Sequence, residues 1–154
     1  MSTALPFPRA SVLGYPRIGN QRQLKRAGES YWSGKSSLED LTETAAQLRR
    51  DTRSRLVELG LGKDDASIPE SFSFYDQVLD AIAAFGAVPA RFASLLDDSG
   101  RLDLPGYFTV ARGKGEDAPL EMTKWFDTNY HYLVPELGPD SAFSLVGTQY
   151  VDQF

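Results

Sequence analysis

Short strand-like segments and longer helix-like segments alternate along this 154-residue chain, and their order restricts the fold more strongly than any other property of the sequence. Residues 11–15 (SVLGY) predict a buried strand, which a tight turn joins to a helix. That helix is predicted to begin with Asn20 as its N-cap and Gln23 three residues on, as in a capping box, and to end at Gly34. Residues 107–111 (YFTVA) form the second clear strand candidate.

Two more helices have clear start signals. Ser37, with Asp40 three residues later, opens a long amphipathic helix that Gly60 closes. Residues 71–74 (SFSF) alternate like an edge strand, and Asp76 caps a third helix. Strands that alternate with helices indicate an α/β fold with parallel strand pairing.

The number of recognisable units is small for a closed barrel. A complete eight-stranded βα barrel typically needs roughly 250 residues, whereas this chain shows only two or three βα units, separated by predicted loops at residues 63–69 and 97–106. The sequence therefore predicts either a small open sheet or an unfinished barrel.

Residues 121–136 (EMTKWFDTNYHYLVPE) contain a lysine, the only histidine of the chain and four aromatic side chains. Read at helical spacing, one stripe of this segment packs against the core, and Lys124 and His131 face elsewhere. The stripe consists of Met122, Trp125, Phe126, Asn129, Tyr130 and Leu133. Its regularity favours the aromatic residues as core, and a lone histidine among tyrosines is more typical of a structural role than of a catalytic one.

Composition excludes several classes of function. A net charge of −5 argues against a nucleic-acid partner, because phosphate binding needs an excess of Lys and Arg on one face. We expect no membrane partner, since no apolar run is long enough for a bilayer and no secretory signal is recognisable, so the cytoplasm is the expected compartment. With no cysteine and one histidine, a zinc site built within these residues is not expected.

The turn and helix start around residues 14–26 are the first candidate binding site, because the N–H groups at a helix start and the helix dipole attract anions. Arg22, Lys25 and Arg26 place positive charge where the dipole disfavours it, which a bound anion would explain. A solvated helix face is the alternative and, on the pattern alone, the commoner explanation. Lys124 is likewise either a point charge for an anion or a lysine whose stem lies along apolar surface.

Two separated segments together resemble the N-terminal part of the cobalamin-independent methionine synthase family. They are residues 13–35 (LGYPRIGNQRQLKRAGESYWSGK) and 121–138 (EMTKWFDTNYHYLVPELG), with FSFYDQVLD, GAVPARF and ARG between them in the same order. The resemblance implies a zinc-dependent methyltransferase that moves a methyl group from 5-methyltetrahydropteroyltriglutamate to homocysteine and makes methionine. It implies that residues 1–154 are the first part of a βα (TIM-type) barrel, incomplete in this chain.

In that family the active site lies between two barrels, and the zinc ligands and homocysteine pocket belong to the C-terminal barrel, the expected partner of this piece. The resemblance therefore implies neither catalytic nor metal-binding residues here, and no activity of the chain alone. Its implied contribution is the binding of the folate polyglutamate tail. The family's residues for that role correspond to Arg22, Gln23, Leu24, Lys25, Lys124 and Asn129.

A string of carboxylates suits spaced cations and a helix start, so the chemistry agrees with these assignments. The sequence departs from the family at Gln23, where Glu is usual, and at Gly28, where a larger helix former is usual. The alternative is a stand-alone, non-catalytic module that derives from the family. Such a module would bind folate or another polyanion, or would have a regulatory role.

Overall fold

Helices dominate the residues described by the computed structural model, which are 11–62 and 72–148. The predicted loop at 63–69 and Ser71 lie outside them. The chain divides into two units, Met1–Phe74 and Tyr75–Phe154. In chain order the elements are α1 (Gln23–Trp32), α2 (Leu38–Glu58), α3 (Gln77–Ala84), a 3₁₀ helix (Ala90–Leu95), α4 (Leu104–Arg112), β1 (Met122–Lys124) and β2 (His131–Leu133).

The first unit is built on α1 and α2, which contact each other. Leu24 of α1 and Leu41 and Ala45 of α2 are buried, as the three- and four-residue spacing predicts. The predicted end of α1 is confirmed, because Gly34 has a φ of 72° and its N–H donates to the carbonyl of Tyr31.

The predicted start of α2 is also confirmed. Ser37 is its N-cap, and its hydroxyl accepts from the N–H of Asp40 while the Asp40 carboxylate accepts from the N–H of Ser37. The helix ends before Gly60, which has a φ of 96°. Because both capping partners are local, the sequence alone specifies this start.

The two strands predicted for the first unit are wrong. Residues 11–15 adopt no strand, and Leu13 is fully exposed. A strand buried on both faces needs neighbouring strands, and the described strands, β1 and β2, pair only with each other. Phe72 instead packs edge-on against Phe74, with the guanidinium of Arg49 over its ring.

The second unit contains the confirmed helix α3, where the Asp76 carboxylate accepts from the N–H of Leu79. The predicted strand at 107–111 is wrong, because these residues belong to α4. Asp103 caps that helix through the N–H of Gly106, and Pro105 occupies its first turn. Residues 107–111 are all buried, and a continuous apolar run does not distinguish a buried strand from a buried helix.

An ion pair connects the 3₁₀ helix to the segment after β2. The Arg91 Nε and Nη2 atoms donate to the two carboxylate oxygens of Glu136 at 2.9 and 2.7 Å, and further guanidinium N–H groups donate to the carbonyls of Ala118 and Pro119. These hydrogen bonds favour the charged carboxylate and hold the pKa of Glu136 below its ordinary value of 4.5.

The helix predicted for residues 121–136 is wrong, because β1 and β2 form an antiparallel hairpin there. Met122 lies opposite Leu133, and Lys124 lies opposite His131. The N–H of Trp125 donates to the carbonyl of Tyr130, and the Thr128 hydroxyl donates back to the carbonyl of Trp125. Asp127, Thr128 and Asn129 have side chains that favour turns, and they explain why the chain reverses here instead of continuing as a helix.

The described residues thus form a small mixed α/β structure with a two-stranded sheet. The parallel pairing predicted from the sequence is absent from these residues, whose sheet is antiparallel. Short strands beside helices remain compatible with part of a barrel.

Candidate functional site

The first candidate site is the N-terminus of α1, where Arg22 and not Asn20 precedes the first helical residue. Arg22 has a left-handed backbone (φ 60°), and no side chain caps the helix. The predicted capping box is therefore wrong. Asn20 and Gln23 bond through their side chains at 3.1 Å, and the Gln23 amide oxygen accepts from the N–H of Gln21.

The loop before α1 is held by its own backbone. Arg22 N–H donates to the carbonyl of Gly19, and Leu24 N–H donates to the carbonyl of Ile18. Gly19 has a φ of 82°, and a Cβ there would lie 2.2 Å from the amide oxygen of Gln23. The backbone conformation thus favours glycine at this position, and a Cβ there would require the Gln23 and Leu48 side chains to shift.

Positive charge gathers at this helix start. The first turn of α1 contains no acidic residue. Arg22 and Lys25 are exposed; Lys25 forms an ion pair with Glu29 at 3.4 Å one turn later, and the Arg26 guanidinium donates to the carbonyl of Gln21. Cations at a helix start interact unfavourably with the helix dipole, and they would attract an anion placed before the helix.

The remaining predicted residues of this region differ in accessibility. Gln23 is half-buried, and the Leu24 side chain is 4% exposed and belongs to the core. The Leu24 side chain is therefore not accessible to a ligand, and its N–H is already bonded to the carbonyl of Ile18. Gln23 lines a cavity of about 380 Å³, bounded also by Leu48, Asp51 and Arg55 of α2.

The second candidate site is the hairpin, which holds Lys124 at the end of β1 and Asn129 in its turn, both exposed. The aromatic side chains around them are not core as predicted. Trp125 is 50% exposed and Phe126 is 81% exposed, and their rings pack edge-on. The hairpin therefore presents a cation, an amide and aromatic faces on its surface.

The six predicted residues fall into two groups. Residues 22–25 share the start of α1 in the first unit, whereas Lys124 and Asn129 share the hairpin of the second unit. One residue that the sequence assigned only to a helix cap has a second contact: the other carboxylate oxygen of Asp76 accepts from the N–H of Leu133 in β2. No local sequence pattern could reveal that contact, because 57 positions separate the two residues.

The described residues contain no group of three His, Cys, Asp or Glu side chains that could hold a metal ion. Their one histidine, His131, is exposed in β2. A zinc ion of the kind implied by the family resemblance does not fit this donor set. Within residues 11–62 and 72–148, no helix combines the length and apolar character needed to cross a membrane.

Comparisons with known proteins identify the family. The model of the cobalamin-independent synthase N-terminal domain matches residues 9–154. A Streptomyces griseus protein named 5-methyltetrahydropteroyltriglutamate–homocysteine methyltransferase is 51% identical over 147 residues, which are 95% of this chain and 18% of the relative. Proteins of the same name from Streptomyces avermitilis and Mycobacterium tuberculosis are 53% and 52% identical over 143 and 141 residues, covering 92% and 91% of this chain and 18% and 17% of the relatives.

The chain thus spans less than a fifth of the length of these curated relatives. The match nevertheless includes both candidate sites, α1 and the hairpin. The chain belongs to the cobalamin-independent synthase family, and its sequence corresponds to the N-terminal domain of that family.

Proposed function

We propose that this chain contributes polyglutamate-folate binding to a cobalamin-independent methionine synthase, as the first part of its N-terminal βα barrel. The complete enzyme would transfer the methyl group of 5-methyltetrahydropteroyltriglutamate to homocysteine, as the names of the relatives indicate. The cytoplasm is the proposed compartment, and the C-terminal barrel is the proposed partner.

The start of α1 is the observation that carries this proposal. An uncapped helix start that has cations and lacks acids in its first turn is suited to a carboxylate. Arg22 and Lys25 would each face a tail carboxylate, Gln23 would orient the approach, and Leu24 would fix the helix from the core. A triglutamate tail carries several carboxylates, so spaced cations bind it better than a single pocket would.

The hairpin supplies the second set of contacts in this proposal. The Lys124 ammonium is exposed at the end of a strand, where it can serve as a point charge for a carboxylate. Asn129 can both donate and accept hydrogen bonds from the turn. Exposure of the neighbouring aromatic rings would let them cover the apolar part of a folate.

The chain's own residues in this proposal bind and orient; they do not move the methyl group. The described part of the chain does not fit a zinc ion, so zinc and the homocysteine thiol would be held by other residues of the complete enzyme. The isolated chain should therefore form no methionine when it is given methyltetrahydrofolate triglutamate and homocysteine. Robust turnover by the chain alone would contradict the proposal.

Titration with 5-methyltetrahydrofolate bearing one or three glutamates tests the binding role. We expect tighter binding of the triglutamate, and a loss of about fivefold in its affinity in Lys25→Ala or Lys124→Ala, as for exposed charge pairs of about 1 kcal/mol. Lys35→Ala, which removes an exposed cation outside both candidate sites, is the matched control and should bind normally.

Equal affinity for the two folates in the unchanged chain would contradict tail binding. Inorganic polyphosphate that competes as well as the triglutamate does would instead favour a general polyanion-binding module, the alternative function. The uncapped, cationic start of α1 is the observation on which that alternative rests.

A further inference from the structure

Asp76 forms two side-chain hydrogen bonds in the second unit, one local and one distant. Its Oδ1 atom accepts from the N–H of Leu79 at 2.8 Å and caps α3. Its Oδ2 atom accepts from the N–H of Leu133 in β2 at 3.4 Å. One carboxylate thus spans a helix start and the returning strand of the hairpin.

The backbone of Asp76 is fixed separately from its side chain. The Asp76 N–H donates to the Tyr107 hydroxyl at 3.0 Å, and that hydroxyl donates to the Asp76 carbonyl at 3.1 Å. Tyr107 belongs to α4 and is 6% exposed. The carboxylate therefore projects from a point that two helices hold in place.

The hairpin needs such an anchor. Its strands have three residues each, and a two-stranded hairpin alone is marginally stable in water. Leu133 is fully buried, whereas the residues of β1 are all exposed. The attachment of β2 at Leu133 therefore contributes to the position of the hairpin, including Lys124 opposite His131.

We propose that Asp76 is a positioning residue for folate-tail binding, because its carboxylate fixes β2 and thereby the location of Lys124 and Asn129. This inference rests on the proposed function of the hairpin. Asp76 would not touch the folate itself. It would act indirectly: its carboxylate holds the Leu133 N–H, and the pairing of β2 with β1 then places Lys124.

The test compares Asp76→Ser with Asp103→Ser in the full chain. Serine is a good N-cap, so both variants keep a helix start. Its single hydroxyl at position 76 cannot also span to Leu133. Asp103 caps α4 through the Gly106 N–H at 2.7 Å, so Asp103→Ser changes the same chemistry at another helix. Asp76→Asn is the second variant, because its amide replaces one carboxylate oxygen by an NH2 group, which donates and cannot accept from the second N–H.

Two readouts are measured: hydrogen exchange of the Leu133 amide, and the ratio of affinities for tri- and monoglutamyl 5-methyltetrahydrofolate. We expect Asp76→Ser and Asp76→Asn to speed exchange at Leu133 about tenfold and to reduce the triglutamate preference about fivefold. Asp103→Ser should change neither.

The failures are distinguishable. If the unchanged chain prefers the triglutamate and Lys124→Ala loses that preference, but Asp76→Ser behaves like Asp103→Ser, the positioning role is overturned and tail binding stands. If the unchanged chain shows no preference, the proposed function and this inference both fall.

Discussion

The two helices of the first unit begin in opposite ways. Helix α2 starts with a complete capping box between Ser37 and Asp40 and with Glu39 in its first turn. Helix α1 starts after a left-handed Arg22, with no side-chain cap and no acid. The first start has a side-chain cap and acids that complement the helix dipole, whereas the second has neither, and its Leu24 N–H donates to the carbonyl of Ile18 instead. The first arrangement stabilises its helix, and the second is the one on which the proposed anion binding rests.

The largest expected effect is at the turn before α1. Gly19→Ala should destabilise the chain by about 2 kcal/mol, because a methyl group would lie 2.8 Å from Leu48 at a φ of 82°. Gly34→Ala is the control: its φ is 72°, no described atom lies within 4 Å of the added carbon, and a cost of about 1 kcal/mol is expected. Urea unfolding measures both, and equal costs would show that the α1 turn is not tightly packed.

The caps themselves give the next effect. Ser37→Ala should cost about 1 kcal/mol, because it removes the acceptor for the Asp40 N–H. Asn20→Ala should cost less than about 0.5 kcal/mol, because Asn20 bonds only the half-buried Gln23 side chain and caps no helix. The same unfolding measurement decides between them. A larger cost at Asn20 would mean that α1 is capped after all.

A smaller effect with the opposite sign is expected at Arg22. Arg22→Asn should stabilise the chain by about 0.5 kcal/mol, since Asn tolerates the left-handed conformation and adds no unfavourable charge at the helix start. The same variant should bind triglutamyl folate more weakly. Unfolding and titration of one preparation test both parts, and unchanged affinity would remove Arg22 from the site.

Of the two helix starts, acid should weaken only that of α2. The N–H of Ser37, followed by its hydroxyl, holds the pKa of Asp40 below 3.8, so this contribution is complete above that value and is lost as the pH falls through the lowered pKa. Helix α1 has no acid in its first turn to titrate. Amide exchange at both helix starts between about pH 5 and pH 2.5 checks this. Asp40→Asn is the control and should remove the pH dependence.

Local chemistry decided which elements were predictable. The starts of α2 and α3 and the glycine ends of α1 and α2 depend on residues within one turn, so their side chains specify them. The apolar run at 107–111 predicts a strand when it is considered alone, because the cap at Asp103 and the proline at 105 lie upstream of it. The apolar spacing of residues 121–136 predicts a helix, whereas the turn at 125–130 closes through backbone hydrogen bonds and a bond from the Thr128 hydroxyl.

For the candidate site, the sequence predicts the charged residue types better than it predicts their backbone conformation and contacts. Cations at 22 and 25 and at 124 were found from the sequence and from the family resemblance. The left-handed Arg22 was not predictable, because nothing in its side chain marks that conformation. The contact between Asp76 and Leu133 depends on the packing of three elements, which no sequence period encodes.

The contacts of the Arg91 guanidinium need its shape as well as its positive charge. It meets two carboxylate oxygens of Glu136 and two main-chain carbonyls at once, which requires a flat group with several fixed donors. A lysine there would preserve the net charge and leave most of these acceptors unmatched. The planar geometry of this side chain therefore fastens residue 91 to residues 118, 119 and 136, and a redesign of this surface should keep an arginine there.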